Sequence, residues 1–255
     1  MKLFLIIVFI ANSLGNAFCT IEKSVLPITL PSKNFIIVAH GNYINEELLR
    51  QEVQDSTVVA LDGASKYLDE KSIKYHVLLG DFDSVSPDKV LARFDSITDD
   101  SVPYIYNGHL VVPSKDQSLT DLHKGINFCD KHGATKITLF GATGDREDHS
   151  ELNRNLLKRC YKFNRPLIMR CPNQTVVYIT SHDCPYEFSG KIGDKCGFFA
   201  YPDTVKVTTH GLIWEVQNWT AVFGERSGAC NELAQEKATI TITDGPGLLL
   251  VQPNP

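Results

Sequence analysis

The chain has 255 residues, enough for one large domain or two modest ones. Hydrophobic residues make up 43% and charged residues 22%, a balance that excludes a disordered or fibrous chain and leaves ample core. The formal net charge of −5 comes without a block of lysines or arginines, so neither a nucleic-acid partner nor stable membrane association is expected.

Residues 1–30 read as a leader. Lys2 precedes an unbroken apolar run over 3–11, and small residues follow, ending in Gly15-Asn16-Ala17. That is the layout of a secretory signal peptide, too short for a spanning helix. The seven cysteines include no C-x-x-C and no cysteine–histidine group with zinc-ligand spacing.

From 35 to about 171, short apolar runs alternate with helix-like segments. FIIVA (35–39), TVVAL (57–61), HVLLG (76–80), KITLF (136–140) and PLIMR (166–170) are β-branched and nearly continuous, the pattern of strands buried on both faces. Asn45 caps a helix over 46–53, Ser86-Pro87 opens one over 88–94, and a third runs over 118–133, stopping at Gly133. The alternation predicts an α/β domain over 31–172 with a mainly parallel sheet. Beyond Pro172 the segments TVVYIT, YEFSG, GFFAYP, VKVTTHGLIWEV, ATITITD and LLLVQ are short, β-rich and broken by glycine, proline and aspartate. They predict an all-β, sandwich-like domain over 173–255.

Ligands of open parallel sheets gather at the carboxyl ends of the strands, and acids collect there in this sequence. Asp62 closes the second strand. Asp81 and Asp83 flank Phe82 at the end of the third. If the chain stays extended, the period of 2 places both carboxylates on one face and Phe82 on the other. Two acids facing the same way repel unless a cation lies between them, and oxygen-only ligands suit magnesium. The same residues also read as a turn before the helix at Ser86-Pro87.

Asp116 precedes the third helix, where Asp121 and Lys124 share a face at i, i+3. Ser118 to Asp121 reads equally as a capping box. In GATGDREDHSELN, Gly141 and Gly144 allow a tight turn, Arg146 can pair with phosphate oxygens, and the helix N-terminus favours an anion. Asp148, His149 and Ser150 also read as ordinary N-capping residues. Acids, a lysine, an arginine and glycines at successive strand ends are what a magnesium–polyphosphate site requires. There is neither G-x-x-x-x-G-K-[ST] nor G-x-G-x-x-G, so no P-loop and no dinucleotide fingerprint.

The order LDGAS, GDFDSV, DQSLTDLHK, GATGDREDHSELN, TTHGLIWEV and FGERSGACNE resembles the thiamin pyrophosphokinase family over about residues 35–252. The resemblance implies an α/β catalytic domain followed by a β-sandwich that binds thiamin, in a homodimer with each active site between subunits. It implies transfer of the terminal diphosphate of ATP to the thiamin hydroxyl, giving thiamin diphosphate and AMP. Asp81, Asp83, Asp116 and Asp121 would then hold magnesium on the phosphates, and Lys124 and Arg146 would offset phosphate charge. Asp83 or Asp116 would take the hydroxyl proton. Asp62, Gly63, Thr120, Gly141, Asp148 and His149 would line the ATP site. Trp214 would pack on thiamin, with Asn231 in the same pocket.

Three departures from the family pattern stand out. Asp62-Gly63-Ala64-Ser65-Lys66 lacks the usual second glycine, Ser118 replaces a further aspartate, and Gly228-Ala229-Cys230-Asn231 replaces a hydroxyl-rich Ser-Thr-Ser-Asn. Losing those hydroxyls removes hydrogen bonds worth about 1 kcal/mol net each. Two alternatives stay open: a catalytically weak thiamin- or nucleotide-binding protein, and a metal-dependent phosphohydrolase. Because a secreted compartment normally lacks ATP, the motif order favours the cytoplasm over the export that the leader allows. Asp83→Asn is expected to abolish turnover while leaving the circular dichroism spectrum intact. Parental activity in that variant would remove the metal-ligand assignment.

Overall fold

A computed structural model describes residues 29–41, 44–82, 103–114, 116–144 and 146–255. Most of the leader, Asp83 and the helix expected over 88–94 lie outside the described residues. The chain divides into two compact units. The first is Met1–Asn42 with Glu46–Ala142, and the second is Tyr43–Asn45 with Thr143–Pro255.

The first unit contains β1 (Asn34–Val38), α1 (Glu46–Glu52), β2 (Thr57–Leu61), α2 (Ala64–Glu70), β3 (Val77–Gly80), β4 (Tyr104–Tyr106), β5 (His109–Pro113), α3 (Asp121–Lys131) and β6 (Lys136–Phe140). Its strands are ordered β6-β1-β2-β3-β5-β4. Parallel pairing joins β1 to β6 and β2, β2 to β3, and β3 to β5. Every residue of β2 and β3 is buried, as the unbroken apolar runs require of a sheet covered on both faces.

Helix α3 buries Leu122, Ile126, Phe128 and Cys129 and sits close to the sheet. A Cβ on its Gly125 would lie 3.1 Å from Leu61 Cδ2 and 3.4 Å from Ile37 Cδ1. The helix starts later than expected. Thr120 is its N-cap, accepting from the His123 N–H at 3.4 Å, while Ser118 lies in the preceding turn. The capping box at Ser118 is therefore corrected.

The large sheet is mixed, so the mainly parallel expectation holds only in part: the parallel pairs lie among β6-β1-β2-β3-β5, and the rest of the described pairing is antiparallel. The alternation rule holds for β6-β1-β2-β3-β5, but β4 returns antiparallel onto β5 through Asn107-Gly108. Both turn residues have positive φ, 49° and 80°, as a two-residue hairpin needs. The last expected strand, β7 (Leu167–Arg170), pairs antiparallel with β8 (Gln174–Ile179) across a tight turn.

The second unit opens with α4 (Glu147–Arg159), followed by β7 and β8. Then come β9 (Tyr186–Ser189), β10 (Lys195–Ala200), β11 (Val205–His210), β12 (Trp219–Ala221), β13 (Asn231–Glu232), β14 (Lys237–Asp244) and β15 (Leu248–Pro253). Strands β13-β10-β15-β8-β7 lie side by side, and β12-β11-β14-β9 form a separate sheet. One core containing Ile179, Phe198, Leu250, Val207, Phe188 and Ile240 is shared by both sets, the packing of a sandwich. VKVTTHGLIWEV is not one strand. Strand β11 ends at His210, and the chain turns at Gly211, whose N–H donates to Glu215 Oε1 at 2.6 Å. Trp214 thus sits on a loop. Among the described residues no helix is long and apolar enough to cross a membrane.

Gly125→Leu should overpack the seat of α3 on Leu61 and Ile37 and cost about 1–3 kcal/mol, read as a lower urea midpoint at unchanged slope. Parental stability would show that this contact is loose.

Candidate functional site

In the first unit the main-chain ladder runs on past the strands and ties their carboxyl ends together. Ala39 N–H donates to Phe140 O and Gly41 N–H to Gly141 O, both at 2.8 Å. Asp62 N–H donates to Leu79 O, and Ser114 N–H to Gly80 O, both at 2.9 Å. Gly141, His40, Asp62, Asp81 and Ser114 therefore follow one another along one sheet edge, with Asp116 two residues beyond Ser114. The strand order reverses at β1, which has β2, the next strand in the chain, on one side and β6, reached only through β5 and α3, on the other, so its end is a topological switch point, where ligands of such sheets bind.

His40 stands at that switch point and was not expected in the site. A Cβ on Gly63 would fall 2.7 Å from His40 Nδ1, so the imidazole rests directly on the glycine after Asp62. The contact crosses from one strand end to another. Its only trace in the sequence is the glycine itself.

Phe82 is buried, as expected, but its φ of 64° takes it out of the extended conformation. The extended chain that the period-of-2 argument assumed is not present at Phe82, and Asp83 lies outside the described residues. Asp81 Oδ2 accepts from Gln117 Nε2 at 3.1 Å, which links the ends of β3 and β5. Asp116 Oδ1 accepts from the Ser118 N–H at 2.8 Å. The Ser118 hydroxyl, then its N–H, hold the Asp116 carboxyl below the ordinary aspartate range. Lys124 is buried, and its ammonium donates to Asp121 Oδ1 at 2.9 Å and to Ser114 O at 3.1 Å. Among the described residues no three His, Cys, Asp or Glu side chains form a group able to hold a metal ion.

In the second unit Arg146 precedes α4 and makes no side-chain cap. Its guanidinium forks onto Asp148, Nε to Oδ1 at 3.1 Å and Nη2 to Oδ2 at 2.5 Å. The expected phosphate partner is therefore already paired, and Asp148 is paired with it rather than capping the helix. Both side chains are well exposed, so the pair is weak and can be exchanged for an anion. His149 is exposed in the same first turn. Ser150 is buried, with its Oγ accepting from Gly144 N–H at 3.2 Å and donating to Arg146 O at 3.0 Å, which closes the loop.

A pocket of about 310 Å³ opens in the same unit, lined by Phe198, Trp214, Val216, Trp219, Gly228 and Asn231, with Cys230 also on its wall. The two tryptophans differ. Arg226 covers Trp219, with Cζ 4.9 Å from the ring centre, and Phe198 meets it edge-on at 6.1 Å. Trp214 is 56% exposed on its loop. Gly228 is paired with Phe198 through both main-chain groups, and a Cβ at 228 would overlap the Phe198 ring. A hydroxyl side chain has no room at that position. Cys230 is exposed and free, with a φ of 60°. Behind it the Cys196 thiol is pushed up to about 11 by burial, with a smaller push from Glu232.

An α/β unit with acids along its sheet edge, together with a β-sandwich that carries an aromatic pocket, makes this a two-domain α/β-plus-β protein. Two family models match the chain: thiamin pyrophosphokinase, catalytic domain, over residues 49–169, and thiamin pyrophosphokinase, vitamin B1 binding domain, over 182–246. Thiamine pyrophosphokinase 1 of Oryza sativa subsp. japonica is 29% identical over 168 residues, 61% of this chain and 62% of that protein. This chain thus spans less than two thirds of that relative's length. Thiamine pyrophosphokinase from Bacillus subtilis superposes with a TM-score of 0.70 at 19% identity, over 87% of this chain and 99% of that one. Yeast thiamin pyrophosphokinase gives 0.67 at 17%, over 89% and 88%. At such identities the two structures speak for the fold. The chain belongs to the thiamin pyrophosphokinase family.

Because its folded-state pKa is depressed, Asp116 contributes stability above its unfolded pKa and loses it as pH falls through the folded value. Carboxyl NMR titration should place Asp116 below the ordinary value of 3.8, and Ser118→Ala should move it partly back up. An unmoved titration would show that the hydroxyl is not the cause.

Proposed function

We propose that the chain is an ATP-dependent thiamin diphosphokinase, moving the terminal diphosphate of ATP onto the thiamin hydroxyl to give thiamin diphosphate and AMP. One observation carries the reading. The catalytic-domain match covers Asp62, Asp81, Asp116, Asp121, Lys124 and Arg146, and the vitamin B1 binding match covers Trp214 and Asn231. The domain roles follow: residues 31–172 bind ATP and residues 173–255 bind thiamin.

The donor set suits magnesium. It is oxygen-only, and magnesium is commonly held by one or two carboxylates together with substrate phosphates rather than by an all-protein cage. Asp81 and Asp116, linked through Gln117, and Asp121, paired with Lys124, are the described candidates, and Asp83 is the candidate outside the described residues. When bound, the ion offsets charge on the transferring diphosphate and on the departing AMP.

The protein's own task is placement and charge. The thiamin oxygen forms a bond to the β-phosphorus while the bond from that phosphorus to the α–β bridging oxygen breaks, and AMP leaves with that oxygen. Lys124 offers a fixed positive charge near the acids, and Arg146 can trade Asp148 for a phosphate. Asp116, held acidic by Ser118, is better suited to a cation than to a proton, which leaves Asp83 as the candidate base. Thiamin carries a permanent positive charge on its thiazolium, and an open indole face attracts a ring cation by about 0.5–2 kcal/mol. Trp214 is the exposed indole of the pocket. The reading includes a cytoplasmic homodimer with active sites between subunits.

The test is AMP formation by the full chain with magnesium and ATP, with and without thiamin. Thiamin-dependent AMP, matched one for one by thiamin diphosphate, is expected. Phosphate release without thiamin would replace the reading with a phosphohydrolase. Thiamin binding in calorimetry without AMP would replace it with a binding protein.

A further inference from the structure

We propose that Asn231 is a positioning residue that acts on thiamin through Trp214, by continuing a main-chain ladder with its side chain. The inference rests on the thiamin-binding reading of the pocket.

The loop that carries Trp214 is zipped to the segment after Asn231. Ala234 N–H donates to Gly211 O and Ile213 N–H to Glu232 O, both at 2.9 Å, around an antiparallel bridge between Leu212 and Leu233. Two residues on from that bridge, Trp214 comes opposite Asn231. There the carboxamide of Asn231 takes over the pairing. Its Oδ1 accepts from Trp214 N–H at 3.2 Å, and its Nδ2 donates to Trp214 O at 2.9 Å. The side chain behaves as a further peptide group laid against the loop.

The bonding capacity of the carboxamide is largely spent in this way. Oδ1 also accepts from the Glu232 N–H at 2.9 Å, so both of its lone pairs are used, together with one of the two Nδ2 hydrogens. Asn231 is itself fixed. It is 3% exposed and pairs with Cys196 in the β13–β10 ladder. A buried, immobile amide therefore grips the main chain of a residue whose ring faces the solvent. Trp219 is locked through its ring by Arg226 and Phe198, whereas Trp214 is locked through its backbone. That arrangement leaves the indole face open while removing much of the freedom a loop residue would lose on binding.

The test is a double-mutant cycle in the full chain, with thiamin affinity read by calorimetry and steady-state kinetics alongside. Asn231→Ala and Trp214→Ala should each weaken thiamin binding on the order of tenfold, and the double variant should be no weaker than Trp214→Ala alone. KM for thiamin should rise, with kcat and KM for ATP little changed. Independent, multiplying losses would mean that Asn231 touches the substrate itself and would overturn the proposal, as would parental affinity in Asn231→Ala.

Amide hydrogen exchange in the unliganded chain supplies a readout that needs no activity. Asn231→Ala should expose the Trp214 and Glu232 amides while Ile213 and Ala234 stay protected. Equal loss at all four would show that Asn231 merely holds the sandwich together, and would overturn the proposal. If Asn231→Ala does not fold, Asn231→Ser keeps a neutral polar side chain that is too short to bridge both main-chain groups of Trp214, and carries the same cycle. A wild-type chain that fails to bind thiamin would sink the functional reading, while the exchange pattern would still decide whether Asn231 holds Trp214.

Discussion

The pairing of β1 on both sides is the constraint from which the first unit's site follows. Because β1 is hydrogen-bonded to β6 on one edge and to β2 on the other, its carboxyl end becomes the point where the strand order reverses. The ladder then continues through Ala39, Gly41, Asp62 and Ser114, so each strand hands its first loop residue to the same edge. No side-chain contact is needed to bring the acids into a row; main-chain hydrogen bonds do it. The side chains add the spacing. His40 can lie on the Asp62-Gly63 turn only because position 63 has no Cβ, and Asp62 Cβ can approach Gly80 for the same reason, at 3.0 Å from where a Cβ would be.

A row of acids at a sheet edge must be balanced, and the charges of this unit are managed locally. The buried ammonium of Lys124 is tied to Asp121 and to the Ser114 carbonyl, so a cation is held in place before any ligand arrives. The Asp116 carboxyl is held below its ordinary range by Ser118, the residue that replaces the additional acid of the family pattern. A neutral hydroxyl there lowers the negative charge of the segment by one while making its neighbour a more persistent anion. In the second unit the pairing of Arg146 with Asp148 has the opposite character. It is exposed, spans two residues and is weakly held, which suits a group that must change partners.

Much of this was legible where burial on both faces wrote itself into the sequence. β1, β2, β3 and β6 are continuous apolar runs, and the acids stand out because they end those runs. The β4–β5 hairpin carries its own signal in Asn107-Gly108, yet its strands are short and one is only three residues long. Helix α2 begins at Ala64 behind Gly63, an N-cap with no side chain, so nothing in the sequence marks its start. The turn at Phe82 and the fork of Arg146 onto Asp148 depend on backbone angles that residue types alone do not dictate. Trp214 was placed in a strand because β-rich composition continues through GLIWEV, whereas the ladder that shapes this stretch runs to residues 231–234.

The loss of hydroxyls at 228–230 reads differently once the wall is seen. Phe198 occupies the space a side chain at 228 would need, and the two residues are joined through their main chains. Restoring a serine at 228 alone would collide with that ring, so the two positions have to change together. At this wall the Phe198 ring also braces Trp219. On the proposed thiamin-binding reading, such a wall offers stacking on an oriented ring, and stacking discriminates by the placement of the platform rather than by the number of donors. That places the burden of geometry on whatever fixes Trp214, and the three hydrogen bonds of Asn231 are where the fold supplies it.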